Sequence, residues 1–397
     1  MILEQDKLDV TSKTRSNLFN WRGQFTPEFV EYILTSFAKK GDHVFDPFSG
    51  SGTVLQESAR LGFKATGFEI NPSAYAMSKF FSFCNLSDDD RNIFCNSFEE
   101  KLNSQLNNLN GQMVYVDNLD YREAYRNLLD FAKVFDANLI SKQERVLFMN
   151  ILFQSEKDKK LTVKQSVNKS FHYIKNCILN LPYAEKEITA KLLDARSSGE
   201  MLENSVDIIL TSPPYINVFN YHQNYRAIIE TFNFDILKVA HSEFGSNRKN
   251  RGNRFKTVIQ YCIDMELAIR SFWKTLKPNG IMILVVGRES NVRGTPFYNG
   301  QLVIEIIQMA NGFSEIKTLE RQFTNKFGIN IKEDIIIATK SGNLTDSLNG
   351  RLIAINHLTQ NLKSSTNGIH IDLNDAILTS QNVKESPIFN PKQVILK

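Results

Sequence analysis

The stretch Asp46-Pro-Phe-Ser-Gly-Ser-Gly-Thr53 decides the fold that this sequence predicts. The segment His43 to Phe45 before it has the character of a short buried strand, and a helix-forming segment from Val54 to Leu61 follows it. A second strand-like segment then covers Lys64 to Glu69. The order of strand, glycine loop, helix and strand is the opening βαβ unit of a doubly wound sheet. The sequence therefore predicts an α/β fold with this loop at the carboxyl end of the first strand, where such sheets bind ligands.

Elements further from the loop extend the same pattern. Pro27 after Thr26 predicts the start of a helix, because proline at the first helical position gives up no donor that the helix needs. After residue 190 we predict strands at 206–211 and 281–287, helices at 260–276 and 302–309, and a final hairpin at 313–318 and 334–339. The predicted α/β domain covers residues 1–85 and 190–342, and residues 343–397 form a C-terminal extension of unclear role.

Residues 86–189 differ from the rest of the sequence in composition and in the spacing of apolar residues. They include one glycine and one proline, and the stretches Tyr121 to Phe135 and Ser141 to Phe153 have the apolar spacing of helices. Strands do not alternate with helices in this region. We therefore predict a helical insertion into the sheet domain.

Composition excludes several classes of protein. The chain has 397 residues, of which 42% are hydrophobic and 23% charged, as in a globular protein. Its longest apolar run, Ile281 to Val286, is far shorter than the roughly 20 residues of a membrane span. The first residues lack the apolar core of a signal peptide, so we expect a cytoplasmic protein with no membrane partner. The four cysteines and six histidines are scattered without a C-x-x-C pair, so we predict no disulfide framework and no metal site.

The glycine loop and one acidic residue predict a cofactor site. Gly50 and Gly52 let the backbone approach a ligand without obstruction by a side chain. Glu69 stands at the end of the second strand, where a carboxylate can accept hydrogen bonds from both hydroxyls of a ribose. The third glycine of a dinucleotide loop and the Gly-Lys-Ser/Thr of a P-loop are both missing. The pattern therefore indicates a different adenosine-containing cofactor.

Two motifs together resemble a known family. The loop Asp46–Thr53 resembles the S-adenosylmethionine loop of the amino-methylating DNA methyltransferases, and Thr211-Ser-Pro-Pro-Tyr215 resembles their catalytic tetrapeptide. The resemblance implies a Rossmann-like methyltransferase sheet, S-adenosyl-L-methionine as cofactor and double-stranded DNA as substrate. In that family the Ser-Pro-Pro-Tyr form is mostly associated with cytosine-N4 methylation, and Asp/Asn-Pro-Pro-Tyr with adenine-N6 methylation.

Other segments extend the resemblance over roughly residues 18–85 and 190–340. Gly23-Gln-Phe-Thr-Pro27 resembles the segment beside the methionine end of the cofactor, and Leu193-Asp-Ala-Arg196 resembles the segment whose Asp contacts the adenine. The cofactor-binding residues implied by the resemblance are Phe25, Thr26, Asp46, Pro47, Phe48, Gly50, Gly52, Thr53, Glu69, Ile70, Asp194 and Ala195. The cofactor loop precedes the catalytic tetrapeptide, and the long insertion before Asp194 is atypical, which leaves the place of the target-recognition element open.

The tetrapeptide suits methylation of an exocyclic amine. Such an amine is a poor nucleophile because its lone pair is delocalised into the base. We predict that Ser212 Oγ and the Pro213 carbonyl accept its two N–H groups, while Pro213 and Pro214 stiffen the turn. Tyr215 offers a ring for stacking the target base, which an enzyme acting on a duplex must flip out. No strongly shifted general base is required, because the sulfonium is already an activated methyl donor.

Two regions are candidates for contact with DNA. The net charge of +4 is too small to indicate such a partner by itself. Between Glu243 and Asp264 the local sequence holds five basic residues and no acidic one, and we predict that they contact phosphates: Arg248, Lys249, Arg251, Arg254 and Lys256. The insertion at 86–189 is the candidate target-recognition domain.

The sequence therefore predicts an S-adenosylmethionine-dependent, site-specific DNA methyltransferase that forms N4-methylcytosine. We predict that it is the modification half of a restriction system, with a cognate restriction endonuclease as a candidate partner. Three alternatives stay open: adenine-N6 methylation of DNA, methylation of an RNA base amine, and a non-catalytic DNA-binding subunit. Any methyl transfer would exclude the last, and the methylated nucleoside would distinguish the others. The recognition sequence and oligomeric state are not readable from the sequence.

Overall fold

A computed structural model of the protein describes residues 3–109, 121–158, 161–216, 221–245, 250–325, 328–363, 365 and 367–394. Within these ranges the strands are β1 (His43–Asp46), β2 (Lys64–Glu69), β3 (Ile188–Leu192), β4 (Val206–Thr211), β5 (Leu276–Gly287), β6 (Glu289–Val292), β7 (Thr295–Tyr298), β8 (Phe313–Thr324) and β9 (Asn330–Lys340). β6 and β7 pair as a separate hairpin, and the others form one sheet in the order β3-β2-β1-β4-β5-β9-β8.

The pairing directions confirm the predicted doubly wound α/β fold. β3, β2, β1, β4 and β5 are parallel, whereas β9 is antiparallel to both β5 and β8. The final hairpin is longer than predicted, because its register continues to the pair Thr324 and Asn330. The sequence reading missed β3, whose first residues fall inside the predicted insertion. β3 is a half-buried edge strand and lacks the continuous apolar run that marked the central strands.

Helices cover both faces of this sheet. They are α1 (Gln5–Asp9), α2 (Pro27–Phe37), α3 (Thr53–Leu61), α4 (Pro72–Phe80), α5 (Asp88–Asn107), α6 (Tyr121–Asp136), α7 (Lys142–Ser155), α8 (Val163–Leu179), α9 (Ser198–Met201), α10 (Arg226–Thr231), α11 (Ile236–Ser242), α12 (Lys256–Thr275), α13 (Asn299–Ala310), α14 (Gly350–Leu362), α15 (Asn367–Leu378) and α16 (Pro391–Val394). Within the described ranges, no helix is long and apolar enough to cross a membrane.

The central strands contribute side chains to two hydrophobic cores, one on each face of the sheet. Val44 belongs to the core shared with α2 to α8, whereas its neighbour Phe45 belongs to the core shared with α12 to α15. Ile283 and Leu284 on β5 divide in the same way. Successive side chains of a strand point to opposite faces, so strands covered on both faces need apolar residues at every position. This explains why the predicted strands read as continuous apolar runs.

Helices α5 to α8 lie in the region predicted as an insertion, and they pack tightly against the sheet domain. The buried Asn150 of α7 donates a hydrogen bond to the carbonyl of Ala76 in α4, at 2.9 Å. Arg91 of α5 is fully buried and donates to the carbonyls of Phe83 and Pro182, at 3.0 and 2.8 Å. These helices therefore share one core with α2, α3 and α4. Their role in target recognition stays a prediction.

The residues after Lys340 form a second helical cover. Glu266 of α12 accepts hydrogen bonds from the amides of Asn349 and Gly350, at 2.9 and 2.7 Å, and so satisfies donors at the start of α14. The chain then returns toward the carboxyl ends of the parallel strands, where the buried Ser386 donates to Asp264 of α12 at 2.6 Å. The C-terminal extension is thus joined to α12 by hydrogen bonds.

Candidate active site

A cavity that opens to solvent lies at the carboxyl ends of β1, β2 and β4. Most of the predicted cofactor residues line it: Phe25, Asp46, Pro47, Phe48, Gly50, Thr53, Glu69, Ile70, Asp194 and Ala195. Ser212 and Pro214 of the tetrapeptide line the same cavity. Thr26, Gly52, Pro213 and Tyr215 are not among the residues that line it. The fold therefore brings segments from residues 25–70 together with segments from residues 194–214.

The glycine loop takes a conformation that only glycine fits comfortably. Gly50 and Gly52 have φ values of 50° and 90°, in the left-handed region. A Cβ atom at Gly52 would stand 2.8 Å from the Phe81 ring and from the backbone of Ser78. Gly52 is thus required for packing of the loop against the end of α4, whereas Gly50 faces the cavity.

Glu69 joins the end of β2 to the glycine loop. Its Oε2 accepts a hydrogen bond from the Gly50 amide at 2.9 Å, and its Oε1 accepts one from the Asn71 amide at 2.8 Å. Burial raises the pKa of the Glu69 carboxyl to about 7, and these backbone donors oppose that shift. A carboxylate can accept about four hydrogen bonds. Glu69 can therefore still accept hydrogen bonds from a ligand in the cavity, in addition to those from the two backbone amides.

Asp46 links the cofactor loop to the tetrapeptide. The hydroxyl of Thr211, the last residue of β4, donates to Asp46 Oδ1 at 2.6 Å, and the Phe48 amide donates to the same oxygen at 3.2 Å. Asp46 is buried, and this burial raises its pKa to about 7. Since Ser212 follows Thr211 directly, this hydrogen bond fixes the start of the tetrapeptide relative to the loop.

Tyr215 packs at the end of β5. A Cβ atom at Gly287 would lie 2.9 Å from the Tyr215 ring, so the ring rests directly on the backbone of β5. The Tyr215 hydroxyl is 3.2 Å from Ser212 Oγ and donates to Glu333 Oε1, also at 3.2 Å. The structure thus holds the hydroxyl of Tyr215 beside Ser212. Stacking of this ring on a base stays a prediction.

Asp194 lines the cavity, and both of its carboxylate oxygens already accept hydrogen bonds from other parts of the protein. Its Oδ1 accepts from the amide and Nε of Arg196, at 3.0 and 2.9 Å. Its Oδ2 accepts from Arg196 Nη2 at 2.7 Å and from the Phe389 amide at 2.9 Å. Four hydrogen bonds fill the capacity of a carboxylate. A contact from this carboxylate to an adenine would require exchange of one of these bonds, so that role stays a prediction.

Several lining residues were not predicted from the sequence. Trp21 and Tyr221 stack with their ring centroids 5.9 Å apart. Glu243 lies 3.0 Å from the buried His222, and Phe244 packs edge-on against Phe48 at 5.3 Å. The only local signal was the concentration of aromatic and acidic residues after the tetrapeptide. Their convergence on the cavity depends on the fold.

The structure separates the predicted DNA-contact residues into different environments. Arg248 and Lys249 lie outside the described residues. Arg251 and Arg254 are exposed. Lys256 begins α12, and its Nζ lies 3.0 Å from the Asp375 carboxylate of α15. The segment from Gly245 to Lys256, called the basic loop below, contains no acidic residue. Packing of α15 brings the acidic Asp375 to its last residue, Lys256.

The sheet order, the antiparallel strand β9 beside β5 and the position of the cavity indicate a class of protein. All three features are typical of the Rossmann-like, S-adenosylmethionine-dependent methyltransferases. Residues 4–80, which include the glycine loop and Glu69, match the family model described as DNA methylase.

Parts of the chain are similar to curated type II methyltransferases. The type II methyltransferase M.BsoBI of Geobacillus stearothermophilus is 24% identical over 279 residues, which are 56% of this chain and 53% of that protein. M.MjaII of Methanocaldococcus jannaschii, another type II methyltransferase, is 40% identical over 52 residues, 13% of this chain and 10% of that protein. The chain spans about half or less of the length of these relatives.

Solved structures include similar chains as well. A SAM-dependent methyltransferase from Methanosarcina mazei aligns over 78% of this chain and 96% of its own length, with 11% identity and a TM-score of 0.35. The family model and the curated relatives confirm the predicted resemblance to the DNA methyltransferases of restriction–modification systems. They also support S-adenosylmethionine as the cofactor.

Proposed function

We propose that this chain transfers a methyl group from S-adenosylmethionine to the exocyclic N4 amine of a cytosine in double-stranded DNA. One observation carries the proposal. Ser212 and Pro214 line the same cavity as Gly50 and Glu69, so a methyl donor and an amine acceptor would meet in one space. Alignment of two bound reactants is the main contribution that such an enzyme needs to make.

The cavity has the chemistry that the cofactor requires. Ser49 lines it, and the buried Oγ of this residue has no hydrogen-bond partner among the described residues. Glu69 would accept hydrogen bonds from the ribose, and the rings of Phe48 and Phe244 offer faces for the adenine. The bound sulfonium would supply an activated methyl group. The protein's own residues would orient it and exclude water.

Ser212 supports cytosine as the target base. Its hydroxyl is a neutral acceptor for an amine N–H, as in the Ser-Pro-Pro-Tyr form of the tetrapeptide. The Pro213 carbonyl would accept the second N–H. A base can reach this depth only when it has left the stack of the duplex, so the proposal includes base flipping.

DNA would contact the surface beside the cavity. Gly245 begins the basic loop, and a Cβ there would stand 2.6 Å from the Tyr215 carbonyl, so this loop starts in contact with the tetrapeptide. Exposed Arg251 and Arg254 would then contact phosphates near the flipped base. The insertion helices would read the sequence, and a cognate endonuclease would cut the same site when it is unmodified.

Nucleoside analysis of cellular DNA tests this proposal. DNA from cells expressing the chain is digested to nucleosides and compared by mass spectrometry with DNA from cells expressing Ser212→Ala. We expect N4-methylcytosine only with the wild-type chain. N6-methyladenine in its place would overturn the choice of base, and absence of any methylated base would overturn the function.

A further inference from the structure

A chain of polar groups runs from Ser212 to the far edge of the sheet. Ser212 Oγ lies 3.2 Å from the Tyr215 hydroxyl, which donates at 3.2 Å to Glu333 Oε1 on β9. The other oxygen of Glu333 lies 3.5 Å from Nε of Arg321 on β8. The four residues come from two distant parts of the sequence, the tetrapeptide and the β8–β9 hairpin, in which Arg321 pairs with Glu333.

The antiparallel strand pairing creates this chain. Gly287 of β5 is directly paired with Glu333 of β9, and the Tyr215 ring rests on Gly287. The tyrosine hydroxyl therefore reaches across one strand to the carboxylate. A side chain at position 287 would collide with the ring and break the connection.

The charged end of the chain is sheltered from water. The side chains of Arg321 and Glu333 are only 4% and 13% exposed, and the Arg321 guanidinium lies 4.0 Å from the centre of the Phe29 ring. Burial raises the pKa of Glu333, while the positive charge of Arg321 opposes this shift and favours the carboxylate. Tyr215 on one side, Arg321 on the other and Asp334 beside it are the ionisable groups that act on Glu333.

An ionised Glu333 carboxylate determines which group donates and which accepts in each hydrogen bond of this series. Glu333 can then only accept, so Tyr215 must donate its single hydroxyl proton to it. Tyr215 can in turn only accept from Ser212. With Glu333 ionised, the hydroxyl proton of Ser212 would point toward Tyr215, which leaves the Ser212 lone pairs for the cavity.

We propose that Glu333 is a positioning residue that acts through Tyr215 to keep Ser212 an acceptor toward the target amine. This inference rests on the proposed methyl transfer and deepens it. A Ser212 proton aimed at the amine would bind the nitrogen lone pair that must attack the methyl group. A Ser212 lone pair aimed at an N–H frees that electron pair.

The test uses the whole protein and two variants that interrupt the series of polar groups Ser212, Tyr215 and Glu333 at different positions. Glu333→Gln removes the charge that gives the direction, and Tyr215→Phe removes the hydroxyl but keeps the ring. Each should lower the single-turnover rate of methyl transfer about tenfold, the value of one hydrogen bond. Cofactor Kd, measured by calorimetry, should stay within about twofold of wild type.

The double variant provides the decisive readout. Because both substitutions interrupt one chain, Tyr215→Phe combined with Glu333→Gln should be no slower than the slower single variant. Glu320→Gln is the matched control, since it removes the same charge from an exposed position on β8, 71% exposed. This control should keep the wild-type rate.

Three results would overturn the inference. Wild-type rates in both single variants would show that the chain has no effect on transfer, and multiplied losses in the double variant would show independent roles. If Glu333→Gln fails to fold because Arg321 loses its partner, Glu333→Asp, which keeps a negative charge beside Arg321 on a shorter side chain, replaces it in the same comparison. A wild-type chain that methylates no DNA would instead overturn the proposed function and this inference together.

Discussion

Replacement of Glu69 by glutamine should weaken binding of S-adenosylmethionine without unfolding the chain. In the structure the two carboxylate oxygens already accept from the amides of Gly50 and Asn71. We propose that their remaining lone pairs accept hydrogen bonds from the ribose hydroxyls of the cofactor. Glutamine has one acceptor oxygen, and its NH₂ group would face one of the two backbone donors, so the variant cannot satisfy both loop and ligand.

The expected magnitude follows from the number of bonds lost. A hydrogen bond to a charged group contributes about 1.5–3 kcal/mol. Loss of one ribose bond should therefore raise Kd by roughly tenfold or more, and loss of both by about 10²-fold or more. The measurement should be made at pH 8, because the Glu69 pKa of about 7 leaves the carboxylate ionised there.

Titration calorimetry checks this prediction, with thermal unfolding as the test of folding. Glu320→Gln serves as control, because it removes the same charge from the exposed face of β8. Its cofactor Kd should equal that of the wild type. A folded Glu69→Gln chain with wild-type Kd would refute the ribose assignment.

Three further predictions concern chemistry, DNA contact and stability. Ser212→Ala and Tyr215→Ala should slow methyl transfer at least about tenfold and leave cofactor Kd unchanged in calorimetry, because we propose that both residues act on the base. Arg251→Ala combined with Arg254→Ala should flatten the slope of log affinity against log salt by up to about two units, in binding to cognate and scrambled duplexes alike; an unchanged slope would contradict phosphate contact. Asp46 has a pKa of about 7, above its ordinary 3.8, so the folded state holds a proton that the unfolded state releases and stability falls as pH rises between these values. Asp46→Asn should reduce this fall in urea unfolding between pH 5 and pH 8, and an identical pH dependence would argue against it.

Much of the site was predictable because it is local. The glycine loop and Glu69 belong to one βαβ unit, and parallel pairing of β1 with β2 brings their carboxyl ends to the same edge. The tetrapeptide follows β4, which is paired with β1, so the same rule places it beside the loop.

Other features depend on contacts between distant segments. Pairing of β9 with β5 brings Glu333 to Tyr215, and the packing of α15 brings Asp375 to Lys256. The hydrogen bond from the Phe389 amide to Asp194 joins the C-terminal extension to the cavity wall. No local pattern indicates which of many similar residues will meet in this way.

Transfer of an isotope-labelled methyl group tests the central claim most directly. The purified chain would be incubated with duplex DNA and S-adenosylmethionine whose methyl group carries deuterium, and the DNA nucleosides would then be identified by mass spectrometry. The account predicts deuterated N4-methylcytosine with the wild-type chain and none with Ser212→Ala. DNA without label, under conditions in which the wild-type chain binds both cofactor and DNA, would contradict it.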